Sequence, residues 1–218
     1  MTGSSWDGGR ERCLHRGRSA VSDPVGDAAA AALAGRLIVI PTDTVYGIGT
    51  RADDAAATAA LFEVKGRPRD LSVPVLVPSA AAAREIAALD QRAAALAARF
   101  WPGPLTMVLP RTEGSRRWDL GSDTRTIGVR VPHHPLALAV LAITGPLAVT
   151  SANRSGEATP RECDGLARAF GARVAVYLCQ DEPLEGTAST VVDVTDGDLR
   201  VLRTGSLAET DLLEALET

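Results

Sequence analysis

The chain has 218 residues, of which 45% are hydrophobic and 23% charged, and its formal net charge is −4. That length admits one large domain or two small ones, and that composition belongs to a globular chain with a sizeable core. No window reaches about 18 uninterrupted apolar residues, which argues against a membrane-spanning helix.

The first 20 residues, MTGSSWDGGRERCLHRGRSA, carry arginines but no apolar run. They do not form a secretory signal, and residues 1–22 read as a disordered extension ahead of a domain over 23–218. A helix is expected over 24–35, ending at Gly35, and a buried strand over 37–40. Pro41 lacks a backbone donor and should stop the ladder there. Residues 53–66 read as a helix with Asp53 or Asp54 as N-cap and Gly66 as stop. A strand is expected over 73–79 despite Pro74, then helices over 79–88 and 90–100. Strands follow over 105–111 and 126–132, a helix over 135–143 and a strand over 146–150. Residues 161–170 read as a helix, and 174–179, 189–195 and 198–205 as strands. The closing helix, TDLLEALE, is expected to be capped by Thr210 in a capping-box-like spacing. The alanine runs read as helix-forming filler. This alternation is that of a single α/β domain.

PTDTVYGIG, residues 41–49, follows the strand LIVI and is no ordinary turn, which would use Gly, Asn or Pro. Polar groups at the carboxyl end of a buried strand are where open α/β sheets place ligands. Three further constellations sit at element ends: KGRPRD, TIGVR and TSANRSG, with GTASTVVD and RTG as weaker additions. Lys65, Arg67 and Arg69 put three charges within five residues, suited either to a helix C-terminus or to phosphates. Ser151 and Asn153 share one side of an extended chain.

Composition sharpens one of these. Of 23 basic residues the only lysine is Lys65. Under such a bias towards arginine, a surviving lysine is either a chance survivor or marks a position where a compact ammonium does what a planar fork cannot, and its neighbours must decide. The cysteines, Cys13, Cys163 and Cys179, are odd in number and lack CxxC pairing, which argues for a reducing compartment and against a structural zinc. His133 and His134 are neighbours pointing to opposite sides of a segment between two prolines, unsuited to sharing a metal. Standard nucleotide motifs do not fit. A P-loop is absent, and Gly47, Gly49 and Ala52 match G-x-G-x-x-A too far from their strand, with Asp70 misplaced for a ribose. No GxSxG elbow for a hydrolase occurs.

PTDTVYGIG, KGRP, TIGVRVP, TSANRSG and STVVD, in this order and spacing, resemble the YrdC-type threonylcarbamoyl-AMP synthases, in their short, single-domain form, over about residues 24–207. The resemblance implies a twisted mixed β-sheet flanked by helices, with a ligand groove. It implies that L-threonine, bicarbonate and ATP become threonylcarbamoyl-AMP and pyrophosphate, feeding tRNA threonylcarbamoyladenosine modification. Lys65 and Arg67 would be the catalytic, phosphate-holding pair. Thr126, Asn153 and Arg203 would complete the ATP site, while Thr42, Arg130, Ser151 and Ser189 would hold threonine. Mg²⁺ with ATP, transfer proteins downstream, direct contact with tRNA and a cytoplasmic location are also implied. The chain departs from the pattern at RDLSVPV, where Ser72 is the candidate replacement for a polar contact, and at Ala188, where proline is common. Two other classes remain open. One is an RNA-binding module without turnover, disfavoured by the net charge but not by a local arginine patch. The other is a carbamoyl-adenylate enzyme serving a different acceptor.

Overall fold

The computed structural model describes residues 23–217, so the expected extension over 1–22 lies outside the described residues. Among them, sixteen α-helices and β-strands follow in order: α1 (Pro24–Leu33), β1 (Ile38–Ile40), β2 (Gly47–Arg51), α2 (Ala55–Lys65), β3 (Val75–Leu76), α3 (Ala80–Ile86), α4 (Gln91–Phe100) and β4 (Leu105–Pro110). Then come β5 (Thr126–Arg130), α5 (Pro135–Thr144), β6 (Leu147–Ser151), α6 (Cys163–Phe170), β7 (Val176–Tyr177), β8 (Thr190–Asp193), β9 (Arg200–Arg203) and α7 (Glu209–Glu214). The strands form one sheet in the order β7-β1-β2-β6-β3-β5-β4-β8-β9. It is mixed: β1/β7, β3/β5 and β4/β8 run parallel, and the other pairs antiparallel.

Strand alternation sets the layers, because successive side chains leave opposite faces. Val39, Ile48, Val75, Met107, Ile127, Val129 and Val192 point into one core, with Leu61 and Phe62 of α2, Leu96 of α4 and Leu166 of α6. Ile38, Ile40, Leu76, Leu147 and Val149 point into the other, against α1 and α5. Each fully buried aliphatic side chain is worth about 1.5–3 kcal/mol. The alanines of α1 are not filler: Ala28, Ala29, Ala31 and Ala32 are buried and meet Ala137, Val140 and Leu141 of α5. Helices α1 and α5 pack on the β1, β2 and β6 part of their face, leaving the alternate residues of β4, β5 and β8 uncovered there.

The caps follow local chemistry. The Asp54 side chain accepts from the Ala56 and Ala57 amides to start α2, and Gly66, at φ 58°, ends it in the left-handed conformation. Asp23, Ser79 and Asp90 cap α1, α3 and α4 in the same way. Three expectations are corrected. The closing helix begins at Glu209 with Ala208 at its cap, so Thr210 lies inside it and caps nothing. Strand β2, unforeseen, pairs along its whole length with β6. Its glycines are required there: a Cβ on Gly47 would lie 2.5 Å from Val149 Cγ1, and one on Gly49 would lie 2.4 Å from the Ala148 carbonyl. The third correction concerns the cysteines. Cys163 and Cys179 form a disulfide, joining the start of α6 to the segment after β7.

Candidate active site

The uncovered part of the sheet floors a cavity of about 590 Å³, a volume in the range of small-molecule sites. Thr106 and Val108 of β4, Thr126, Gly128 and Arg130 of β5, and Val191 of β8 form the floor. The loops around Thr42, Arg67, Ser151, Thr159 and Gly186 form the walls.

The run Pro41-Thr42-Asp43-Thr44 turns out to hold an arginine. Arg130 is 5% exposed. Its Nε donates to the Gly103 carbonyl (3.0 Å), its Nη1 to Thr44 Oγ1 (2.9 Å) and its Nη2 to Asp43 Oδ1 (2.6 Å). Asp43 Oδ1 also accepts from the His133 amide at 2.9 Å, while Oδ2 is buried without a partner. Thr42 fixes Thr44 in turn, since their hydroxyls lie 3.0 Å apart and the Thr42 hydroxyl donates to the Val45 carbonyl at 2.6 Å. A guanidinium has five N–H donors. Three are used, and one remains on each terminal nitrogen, the number a carboxylate needs for a bidentate pair.

Arg67 and Arg203 line the same cavity. Arg67 is steadied by the Leu71 carbonyl (2.7 Å) and the Ser72 carbonyl (2.9 Å). Arg203 donates to the Ser189 carbonyl at 2.8 Å and to Ser189 Oγ at 2.9 Å. Ser189 Oγ also lies 3.0 Å from Thr106 Oγ1. The distal RTG motif brings this about. A Cβ on Gly205 would lie 2.3 Å from the Ala188 carbonyl, so only glycine lets that segment close on residues 188–189. Burial and the Arg203 charge lower the pKa of Arg67, with Asp70 opposing. Burial lowers that of Arg130, Asp43 opposes, and the Arg203 charge lowers it further. The Arg203 charge thus bears on both Arg67 and Arg130 in one cavity, where any anion bound between them relieves that repulsion.

Lys65 stands elsewhere. It is 3% exposed and does not line the cavity. Its Nζ donates to the Ser151 carbonyl (2.6 Å), to the Asn153 carbonyl and to Asn153 Oδ1 (3.0 Å). Asn153, also behind the wall, accepts from Ser151 Oγ at 2.5 Å and donates to the Glu157 carbonyl at 2.6 Å. Of the K-x-R and S-x-N pairs, Arg67 and Ser151 therefore face the cavity, while Lys65 and Asn153 brace the turn carrying Ser151. Burial and the Arg67 charge push the Lys65 ammonium down to about 8.

Thr126 donates its hydroxyl to Asp123 Oδ2, and both residues line the cavity. Burial works against the charged form of Asp123, but the Thr126 hydroxyl and the Arg125 and Thr126 amides outweigh it and hold the carboxyl below its usual range. Buried Arg111 secures the loop, donating to the Thr126 carbonyl (2.8 Å), the Asp123 carbonyl (3.0 Å) and the Trp118 carbonyl (2.8 Å). Ser72 lines the cavity as well. Sequence reasoning marked the run holding Asp43 and Thr44 as ligand-placing without giving either a role of its own, and it missed Thr106 and Asp123. The last two carry no local signal and are found only through the strand alternation and the loop.

Among the described residues no group of three or more His, Cys, Asp or Glu side chains could hold a metal ion, and no helix is long and apolar enough to cross a membrane. The donors present fit Mg²⁺ arriving with phosphates, the mode in which that ion keeps waters and needs few protein ligands. Two carboxylates, Asp70 and Asp123, line the cavity, and the Asp70 charge acts on Arg67.

The Sua5/YciO/YrdC family model, described as "Telomere recombination", matches residues 30–205. A Mycobacterium leprae protein, provisionally named a threonylcarbamoyl-AMP synthase, is 42% identical over 193 residues, 88% of this chain and 87% of that one. A threonylcarbamoyl-AMP synthase of Pyrococcus abyssi is 38% identical over 175 residues, 79% of this chain and 51% of its own length. The crystal structure of P. abyssi Sua5 complexed with L-threonine superposes with a TM-score of 0.80 at 33% identity, covering 88% of this chain and 57% of that one. The chain thus spans little more than half the length of the Pyrococcus protein.

Proposed function

Because the chain belongs to the Sua5/YciO/YrdC family, we propose that it is an L-threonylcarbamoyladenylate synthase, converting L-threonine, bicarbonate and ATP to threonylcarbamoyl-AMP and pyrophosphate. The observation that carries this reading is the convergence of Arg67, Arg130 and Arg203 on one cavity. The reaction gathers a carboxylate, a carbamate and a triphosphate at one place, and mutual repulsion of these anions must be offset.

The threonine amine and bicarbonate condense to a carbamate with loss of water. A carbamate oxygen then attacks the α-phosphorus in line, the bond to the bridging oxygen breaks, and pyrophosphate leaves with its electron pair. Such a displacement needs positioning and charge stabilisation more than a strong base. The two remaining N–H groups of Arg130 pair the threonine carboxylate, and Thr42, Ser151 and Ser189 present hydroxyl groups around it. Arg67 and Arg203 meet the phosphates, and Thr126 borders the nucleotide. Lys65 and Asn153 act through the turn they brace, and the ammonium adds positive field from behind the wall. Mg²⁺ would shield the phosphate oxygens. The catalytic domain is taken to span residues 23–218, and the cytoplasm, where ATP and tRNA meet, is the proposed location. The product would pass to transfer proteins that modify tRNA, which this chain need not bind itself.

Pyrophosphate release tests the assignment. It should require threonine and bicarbonate together. Equal release without threonine, or with carbamoyl phosphate in place of threonine, would sink the reading.

A further inference from the structure

Two walls of the cavity are long segments without helix or strand: residues 152–162, which contribute Thr159, and residues 178–189, which contribute Gly186, Ala188 and Ser189. They meet at Arg161, whose Nε donates to the Leu184 carbonyl at 2.5 Å, and the Leu184 amide returns a bond to the Arg161 carbonyl at 3.1 Å. Beside that contact lies the Cys163–Cys179 disulfide, with the Cα atoms 5.9 Å apart. Cys163 follows Thr159 by four residues and Cys179 precedes Gly186 by seven, so the bond closes the base of both walls. Both cysteines are half-buried, within reach of a small thiol. The segment after Cys179 is also tied to the Arg130 cradle: the Gln180 amide donates to the Tyr46 hydroxyl (3.2 Å) and the Gly186 amide to the Thr44 carbonyl (3.3 Å).

From this geometry we infer that Cys163 and Cys179 are a reversible redox site that sets how firmly the cavity walls are held. A structural disulfide of a secreted domain is permanent. A half-exposed one in a chain that works where ATP and tRNA are made is open to thiol exchange. The step balances as an exchange. A low-molecular-weight dithiol attacks one sulfur as thiolate, the other cysteine leaves, and the mixed disulfide resolves to free Cys163, free Cys179 and the cyclic disulfide of the reductant. A small-molecule disulfide carries the same two electrons back the other way. Opened, the walls keep the Arg161–Leu184 contact but lose their covalent staple, so Thr159, Gly186 and Ser189 are less well ordered for substrate. The kinetic consequence rests on the synthase reading; the change in wall order does not.

The test uses the full chain carrying Cys13→Ser, so that the third thiol takes no part. Protein oxidised with a small-molecule disulfide is compared with protein reduced by dithiothreitol, using thiol titration, peptide-resolved hydrogen exchange and steady-state kinetics. Reduction is expected to release two thiols and to speed exchange in residues 153–161 and 180–188. It is also expected to raise the Michaelis constant for threonine by about fivefold or more, the size of a modest coupling between sites. Reoxidation should reverse all three. Cys163→Ser and, independently, Cys179→Ser should sit at the reduced values for wall exchange and kinetics in either reagent, the one remaining thiol forming at most a mixed disulfide with the oxidant. Two thiols that stay free after oxidation, or exchange and kinetics alike in both states, would overturn the inference. Faster exchange on reduction in a protein that never turns over would uphold the staple and reject the synthase reading.

Discussion

Arg130 is held by three partners before any substrate arrives, and that preorganisation is what its neighbours contribute. Replacing it with Ala removes the proposed bidentate partner of the threonine carboxylate, so the Michaelis constant for threonine should rise far more than that for ATP. Equal rises would count against the role. Asp43→Asn should move threonine in the same direction by less, since the amide oxygen can still accept from Arg130. Lys65 poses a different problem. Its ammonium points three donors at three oxygens of residues 151 and 153, a geometry that a planar fork cannot reproduce. Lys65→Arg should therefore displace the Ser151 turn and cut kcat/KM by about a hundredfold, the cost of a misplacement near 1 Å. An amine-reactive reagent should leave Lys65 untouched with or without ATP, because the protein itself buries it. The charged form makes those three bonds, and a lowered pKa means it is lost as the pH rises through about 8. With a single lysine in the chain, a ¹⁵Nζ-lysine label gives one side-chain resonance. Its titration should be centred near 8, with turnover failing over the same interval, and a midpoint above 10 would contradict this account.

At the scale of elements, the paired glycines of β2 explain a motif that looks like half of a nucleotide fingerprint. They are there so that β2 can lie against Val149 and Ala148 of β6. Gly49→Ala should cost about 1–3 kcal/mol, as overpacking does, and lower the midpoint of thermal unfolding. An unchanged midpoint would show that the sheet can open to admit the methyl. The same strand marks a limit of reading sequence. GIGTR has one aliphatic side chain and two glycines, so neither alternation nor β-propensity identifies it. Caps were easier. Asp54 and Gly66 bracket α2 because a side-chain oxygen and a left-handed glycine are local chemistry. Thr210 failed as a cap because the last helix starts at Glu209, two residues before the position its hydroxyl could serve.

For the whole molecule, one half-covered sheet face accounts for both the stability and the site. Helices α1 and α5 bury one part of that face, and the rest becomes a cavity floor whose polar residues alternate with the core residues behind them. The α/β alternation and the arginines facing the cavity were legible, because apolar runs and charged motifs are contiguous in sequence. Three things were not. The partnership of Asp43 with Arg130 spans 87 positions, that of Arg203 with Ser189 depends on Gly205 closing the loop, and the Cys163–Cys179 bond needs the walls folded. Composition drew attention to Lys65 and the K-x-R motif gave it weight, yet its place behind the wall follows only from the fold. The central claim is that this cavity joins threonine, carbonate carbon and adenylate. It is tested most directly by mass spectrometry of the product made from ATP, L-threonine and ¹³C-bicarbonate. The expected product is one adduct containing AMP, threonine and a single ¹³C atom, formed with one pyrophosphate. An adenylate of threonine lacking the labelled carbon, or no adduct while ATP is consumed, would contradict that claim.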